Sequence, residues 1–219
     1  MKDSNAGLSF ASTTMTEIKT PGPGAPERLA RAFYERPTLQ VARELLGKFL
    51  VHETNEGRLV GMIVETEAYL GPRDLACHAS KGRTKRTEVM FGPAGRVYVY
   101  LIYGMYHCMN IVTERIGFPA AVLVRALQPI ERSGEFSFGA DRRSTWPNGP
   151  GKLCRFMEIS LANYGADLCV GPLWVEDRGL AQAPREIARS PRIGVDYAGA
   201  WKDKLWRFYL KENLWVSRA

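Results

Sequence analysis

The stretch VYVYLIYGMYHCMNIVT, residues 97–113, decides the reading of the fold. It is built from β-branched and aromatic residues, which favour a pleated, half-buried surface. Gly104 interrupts it where a tight turn needs conformational freedom. Val97–Tyr103 and His107–Thr113 are therefore expected to form a β-hairpin turning at Gly104. Its tip would carry Tyr103, Met105 and Tyr106, large apolar groups where loops are usually polar. Such a tip suits a wedge between base steps of a nucleic acid. A packed core hairpin is the alternative.

Outward from the hairpin, two more strand-like runs precede it, Lys48–Glu53 and Arg58–Tyr69, joined by the polar stretch Thr54–Gly57. Ala120–Leu127 follows it and is apolar almost throughout, the pattern of a strand buried on both faces. Thr38 is placed to cap a helix that sets Leu39, Ala42, Leu45 and Leu46 on one face and stops at Gly47. Gly149-Pro150-Gly151 introduces a short helix over Lys152–Ile159. Further strand-like segments are Leu173–Glu176, Arg192–Val195 and Lys204–Leu210, and residues 131–148 read as a loop. Strands follow one another without regular helical crossovers. That pattern implies an α+β fold: one domain with a mixed, mainly antiparallel sheet flanked by helices. Residues 1–25, ending in Pro21-Gly22-Pro23-Gly24, read as a disordered tail, and residues 26–219 as the single domain.

With 219 residues the chain is long enough for one full core. It has no apolar run long enough to span a membrane, and its first twenty residues lack the apolar core of a secretory signal. An intracellular protein, off the membrane, is expected. The formal net charge of +7 suits a polyanionic partner such as nucleic acid, with solubility as the plainer explanation. Cys77, Cys108, Cys154 and Cys169 are widely spaced and form no metal-binding pattern with histidine. Reduced thiols and no metal site are expected.

Three constellations carry chemistry. In Val64-Glu65-Thr66-Glu67-Ala68-Tyr69 a strand puts Glu65, Glu67 and Tyr69 on one face. This is either a solvated strand end or a carboxylate kept ionised for general-base work. Arg125, which interrupts the run Ala121-Val122-Leu123-Val124, is the candidate partner cation. The second is the tyrosine-rich hairpin, whose rings can pack in a core or stack an extruded base. The third is Lys81-Gly82-Arg83-Thr84-Lys85-Arg86-Thr87, a solvated charged face or a phosphate-binding segment.

Taken together, VETEAYLGPRDLACHAS (64–80), MFGPAGRVYVYLIYGMYHCMNIV (90–112), AAVLVRALQP (120–129), GPGKLC (149–154) and RIGVDYAGAW (192–201) with LWRFY (205–209) resemble the alkyladenine DNA glycosylase family, the mammalian-type 3-methyladenine DNA glycosylases. The resemblance runs in family order and covers nearly everything from residue 27 onward. It implies a curved sheet with a protruding hairpin, like the C-terminal domain of formyltransferases. It implies a monofunctional, cofactor-free and metal-free enzyme, a monomer, that flips alkylated or deaminated purines out of damaged double-stranded DNA. The class would include 3-methyladenine, 7-methylguanine, hypoxanthine and ethenoadenine. By the same resemblance Glu67 activates the attacking water, and Arg125 and the Ile193 carbonyl help to hold that water. Tyr69 and His78 stack on one face of the base and Tyr100 on the other, Tyr98 supports the carboxylate, and Asn110 crowds the 2-amino group of guanine. Tyr103 intercalates with Met105 and Tyr106 beside it, and Lys81, Arg83, Thr84, Arg86 and Lys152 contact phosphates. The alternative is a non-catalytic damaged-DNA or RNA-binding module of the same fold. Hydrolysis of a free nucleoside is a third reading, which the wedge and the basic segment disfavour.

One geometric condition follows. A regular two-residue loop at Gly104-Met105 would turn Asn110 away from Tyr100. Placing both in one pocket requires an odd-length turn or a bulge near residues 103–107.

Overall fold

The computed structural model describes residues 25–132, 145–180 and 184–217. The tail expected at the N-terminus and most of the loop expected over 131–148 lie outside the described residues. In chain order the elements are β1 (Glu27–Arg28), α1 (Arg31–Tyr34), α2 (Thr38–Glu44), β2 (Phe49–Thr54), β3 (Gly57–Tyr69), β4 (Val97–Ile102), β5 (Tyr106–Thr113), β6 (Ala120–Arg132), α3 (Pro150–Phe156), β7 (Leu173–Asp177), β8 (Ile187–Ser190) and β9 (Arg207–Leu210). The strands join in one sheet of order β1-β7-β2-β3-β6-β5-β4, with β9 bridging β3 and β8. Every strand pair is antiparallel. The fold is α+β, as the order of the strand-like runs implied.

The period of two in the strands sorts side chains onto two faces. On one face Val97 and Val99 of β4, Met109 and Ile111 of β5, and Val122 and Val124 of β6 enter the main core with Leu45, Leu50 and Phe156. On the other face Tyr98, Tyr100, Cys108, Asn110, Ala121, Leu123 and Arg125 line a cavity. The first eight residues of β6 are buried, which accounts for their continuous apolar run. Helix α2 lies against the core face of β3, where Thr66 donates its hydroxyl proton to the Ala42 carbonyl at 2.7 Å.

Two local expectations change. Thr38 is the first residue of α2 rather than its cap. Pro37 stands in the cap position, and the Thr38 hydroxyl turns to the Glu114 carboxylate at 2.5 Å and to Thr113 at 3.0 Å. Arg192–Val195 is not a strand; Gly194 at φ 74° breaks its extended path and its backbone turns toward β3. The strand in that region is instead β8, a short edge segment with no strong apolar signal.

Gly61 packs where β3 meets β6. A Cβ there would lie 2.9 Å from both Cβ and Cδ1 of Leu127, which is itself buried. Gly61→Ala is expected to lower stability by about 1–3 kcal/mol through overpacking, read as a lower urea midpoint with an unchanged slope. Undiminished stability would contradict this packing.

Candidate active site

The site begins with a fault in the sheet. Between β3 and β6 the register runs Ile63↔Leu127, Glu65↔Ala126, Thr66↔Val124. Val64 is thus the extra residue on β3, and Arg125 the extra residue on β6. Bulges of this kind re-aim side chains and increase local twist. At the same place the outer edge of β3 passes from β2, which pairs through Met62, to β9, which pairs from Glu65 to Glu67. Glu65, Glu67 and Arg125 meet at that junction.

The Glu67 carboxylate is completely buried. Its Oε1 accepts the Ile193 backbone N–H at 2.8 Å. Its Oε2 accepts the Tyr69 hydroxyl at 2.8 Å and lies 3.3 Å from an Arg125 guanidinium nitrogen. Arg125 also binds Glu65 through Nε at 2.9 Å, so one guanidinium spans both carboxylates. Burial works against its charge, but Glu67 and Glu65 together raise Arg125 above the usual guanidinium range. Burial first, and then the Glu67 charge, push the Tyr69 hydroxyl well above the usual phenol range, which keeps it a proton donor.

A second buried pair holds the opposite wall. Arg192 binds Asp74 through two nitrogens at 2.6 and 2.8 Å, and both side chains are fully buried. Arg192 also donates to the Ala68 carbonyl at 2.9 Å and covers the Tyr69 ring at 4.7 Å. Its neighbour Ile193 is thereby presented to Glu67. Ile193 meets the carboxylate through its N–H, whereas the sequence reading assigned its carbonyl to a water contact.

These groups back a cavity of about 610 Å³ lined by Tyr69, His78, Tyr98, Tyr100, Tyr103, Asn110, Arg125 and Ile193. All of the pocket residues expected from the sequence therefore converge. The hairpin turn is odd, as that convergence required. Met105 N–H closes onto the Ile102 carbonyl at 3.1 Å, and Tyr103 and Gly104 both take positive φ, at 53° and 69°. Ile102 pairs with Tyr106, so Tyr98 faces Asn110 and Tyr100 faces Cys108.

Two expected roles need correction. The Tyr98 hydroxyl does not touch Glu67; it lies 2.8 Å from His78 Nδ1. The phenol that supports the carboxylate is that of Tyr69. His78 and Tyr100 do not face each other across a slot. Their ring centroids are 4.6 Å apart in an edge contact, whereas an inserted base needs about 7 Å, two van der Waals separations. His78 and Tyr100 therefore lie side by side in the cavity lining, and Arg192 backs the Tyr69 ring.

At the mouth, Tyr103 is 83% exposed and Met105 66%, on a turn whose strained Tyr103 backbone is typical of functional sites. Tyr106 leans on α3, against Gly151, where a Cβ would come within 3.0 Å of its own Cβ. Of the basic segment only Arg86 lines the cavity. Lys81 is exposed, Arg83 pairs with Glu88 at 3.0 Å, and the Thr84 hydroxyl meets Thr87 at 3.0 Å. The Tyr164 hydroxyl secures this segment, accepting the Val89 N–H at 3.2 Å and lying 3.3 and 3.2 Å from the Lys85 and Arg86 carbonyls. Lys152 is bound to Asn148 at 3.0 Å.

Sequence reasoning missed Arg207, Ser217, the Asp74–Arg192 pair and Tyr197. Arg207 carried the same signal as Arg125, a cation inside a strand-like run. Tyr197, 69% exposed, lines the cavity rim from the Asp196–Trp201 turn. Among the described residues no group of three His, Cys, Asp or Glu side chains is placed to hold a metal ion. No helix there is long and apolar enough to cross a membrane.

Comparison with known proteins gives a consistent result. The profile of the family described as methylpurine-DNA glycosylase matches residues 32–214. A protein of Methanocella arvoryzae is 54% identical over 194 residues, covering 87% of this chain and 96% of its own length. One from Legionella pneumophila strain Corby is 50% identical over 194 residues, covering 88% and 99%. One from Myxococcus xanthus is 50% identical over 191 residues, covering 87% and 94%. The name of each gives 3-methyladenine DNA glycosylase as an inferred activity.

Burial, then the nearby charges of Arg86 and Lys81, bring the His78 pKa down to about 4. In the unfolded chain it would titrate near 6.5, so the neutral ring favours the folded state above that pH. That contribution is lost as pH falls from about 6.5 to 4, because the unfolded chain takes up the proton first. An NMR titration of the His78 imidazole is expected to show a midpoint near 4; an ordinary midpoint would contradict the site's polarity.

Proposed function

The chain belongs to the methylpurine-DNA glycosylase family, and from that membership we propose that it extrudes alkylated purines from damaged double-stranded DNA and hydrolyses their glycosidic bond with water activated by Glu67. It is a monofunctional DNA glycosylase, a hydrolase of N-glycosyl bonds in DNA repair. The observation that carries the mechanism is the buried Glu67 carboxylate, held by donors from three separate segments behind a cavity walled with aromatic rings.

A carboxylate offers about four acceptor positions. Ile193, Tyr69 and Arg125 occupy three of them, two on Oε2 and one on Oε1. The remaining position on Oε1 suits a water. Loss of a purine passes through an oxocarbenium-like state, and a fixed negative charge beside the sugar stabilises it while the same oxygen takes the water's proton. No lysine lines the cavity among the described residues, in keeping with hydrolysis rather than Schiff-base chemistry.

The extruded base stacks on Tyr69, with His78 and Tyr100 against its other side. Tyr98 holds the His78 ring through their hydrogen bond. Asn110, buried and donating to the Tyr98 carbonyl at 3.1 Å, is a fixed wall against the larger edge of guanine. His78 is neutral at ordinary pH. The site is therefore poorly supplied with a proton for a neutral leaving base and better suited to cationic 3-methyladenine and 7-methylguanine, which depart without one. Hypoxanthine and ethenoadenine belong to the same proposed class as slower substrates. Tyr103 fills the gap in the duplex, with Met105 and Tyr106 beside it, and Lys81, Arg83, Thr84, Arg86 and Lys152 meet the phosphates. The protein acts as an intracellular monomer without a cofactor, folded as one domain over 26–219.

Glu67→Gln is expected to lower the single-turnover rate of methylpurine release by at least about a hundredfold while leaving affinity for damaged duplex nearly intact. Release at the wild-type rate would sink the mechanism. Tyr103→Ala is expected to act oppositely, weakening binding to an abasic-site duplex with a smaller effect on the bond-breaking step. Binding of the wild-type chain should fall steeply between 50 and 200 mM salt, as phosphate contacts require; salt-independent binding would argue against the proposed DNA face.

A further inference from the structure

Glu65 is the member of the paired carboxylates that the mechanism does not use, yet it is the more heavily bound. It is completely buried. Its Oε1 accepts Arg125 Nε at 2.9 Å, Arg207 Nε at 2.7 Å and the Ser217 hydroxyl at 2.8 Å. Its Oε2 accepts the Ser217 backbone N–H at 2.7 Å. Arg207 donates in turn to the Ser217 carbonyl at 2.9 Å. Segments far apart in sequence thus close on one side chain two residues from Glu67.

We propose that Glu65, anchored by Arg207 and Ser217, is a positioning residue that keeps the Arg125 guanidinium from closing fully on Glu67 and so preserves the acceptor position the attacking water needs. The inference rests on the reading of Glu67 as the water-activating group. Arginine and carboxylate prefer a two-pronged pair with parallel hydrogen bonds. Here the Arg125 Nε is committed to Glu65, and only NH1 reaches Glu67, at 3.3 Å. Glu65 holds the guanidinium at this distance. Two carboxylates and two guanidiniums also balance each other in a space with almost no exposure.

The pH dependence separates this role from a merely structural one. Glu67 is faced by Tyr69 on its own strand, Arg125 on β6, and Tyr100 and Cys108 on the hairpin, with the Arg192 charge nearby. With Glu65 made neutral, Glu67 loses a negative neighbour and gains an undivided guanidinium. Both changes favour its carboxylate form and draw its charge toward Arg125, away from the water. A loosened fold would do the reverse, weakening the hold of Arg125 on Glu67.

The test is single-turnover release of free base from methylated duplex DNA across pH, with affinity measured on a duplex carrying a tetrahydrofuran abasic site. Glu65→Gln is expected to lower the plateau rate roughly tenfold to a hundredfold, the usual cost of losing an outer partner or misplacing a reacting group. The acid limb should move to lower pH and the affinity should stay unchanged. Ser217→Ala keeps the backbone N–H on Glu65 and removes only the hydroxyl, so it should fold normally and shift the limb the same way by less. An unmoved or raised limb in both variants, or equal losses of rate and affinity, overturns the positioning role. No base release by the wild-type chain would remove the glycosylase reading itself, whereas wild-type release with unaltered variants removes only the role of Glu65.

Discussion

The structure turns on one electrostatic problem. Two carboxylates two residues apart on one strand, both completely buried, cannot remain charged in an apolar interior without cations in contact. Arg125 and Arg207 supply those cations from the strands on either side of β3. Strands β6 and β9 must both lie against the same half of β3, and the C-terminal segment must return to cap Glu65 with Ser217.

The sheet changes register at the same point. Arg125 keeps step with Ala121 and Leu123 on the cavity face of β6. The bulges at Val64 and Arg125 shift β3 against β6 beside it, where the Arg125 guanidinium reaches both Glu65 and Glu67. From there the cavity is assembled outward: Tyr69 is fixed between its hydrogen bond to Glu67 and the Arg192 guanidinium, and the hairpin brings Tyr98, Tyr100 and Asn110 to the same side. Rigidity at the carboxylates and exposure at Tyr103 are therefore ends of one construction. The buried end suits chemistry, and the exposed end suits entry into a duplex.

Much of this was legible in the residues. The hairpin, the long β3 and the doubly buried β6 announce themselves through β-branched and aromatic runs, and the odd turn at residues 103–105 followed from requiring Tyr100 and Asn110 to share a face. Arg125 stood out because a cation inside an apolar strand demands a carboxylate. What was hidden depends on contacts between distant segments. Nothing local in Arg192-Ile193-Gly194-Val195 says that its backbone will turn to meet Glu67, and the four residues instead look like a strand. Ser217 is an ordinary polar residue until the fold brings it to Glu65. The walls of the cavity were also misassigned: Tyr98 serves His78, and His78 lies with Tyr100, because ring contacts depend on side-chain rotation that strand periodicity does not determine.

One buried carboxylate, Glu67, carries the bond-breaking step as an ionised group. The most direct measurement is the pH profile of single-turnover methylpurine release by the wild-type chain beside that of the residual activity of Glu67→Gln. A single ionisation is expected on the acid side of the wild-type profile and absent from the variant. The same acid limb in both proteins would contradict it.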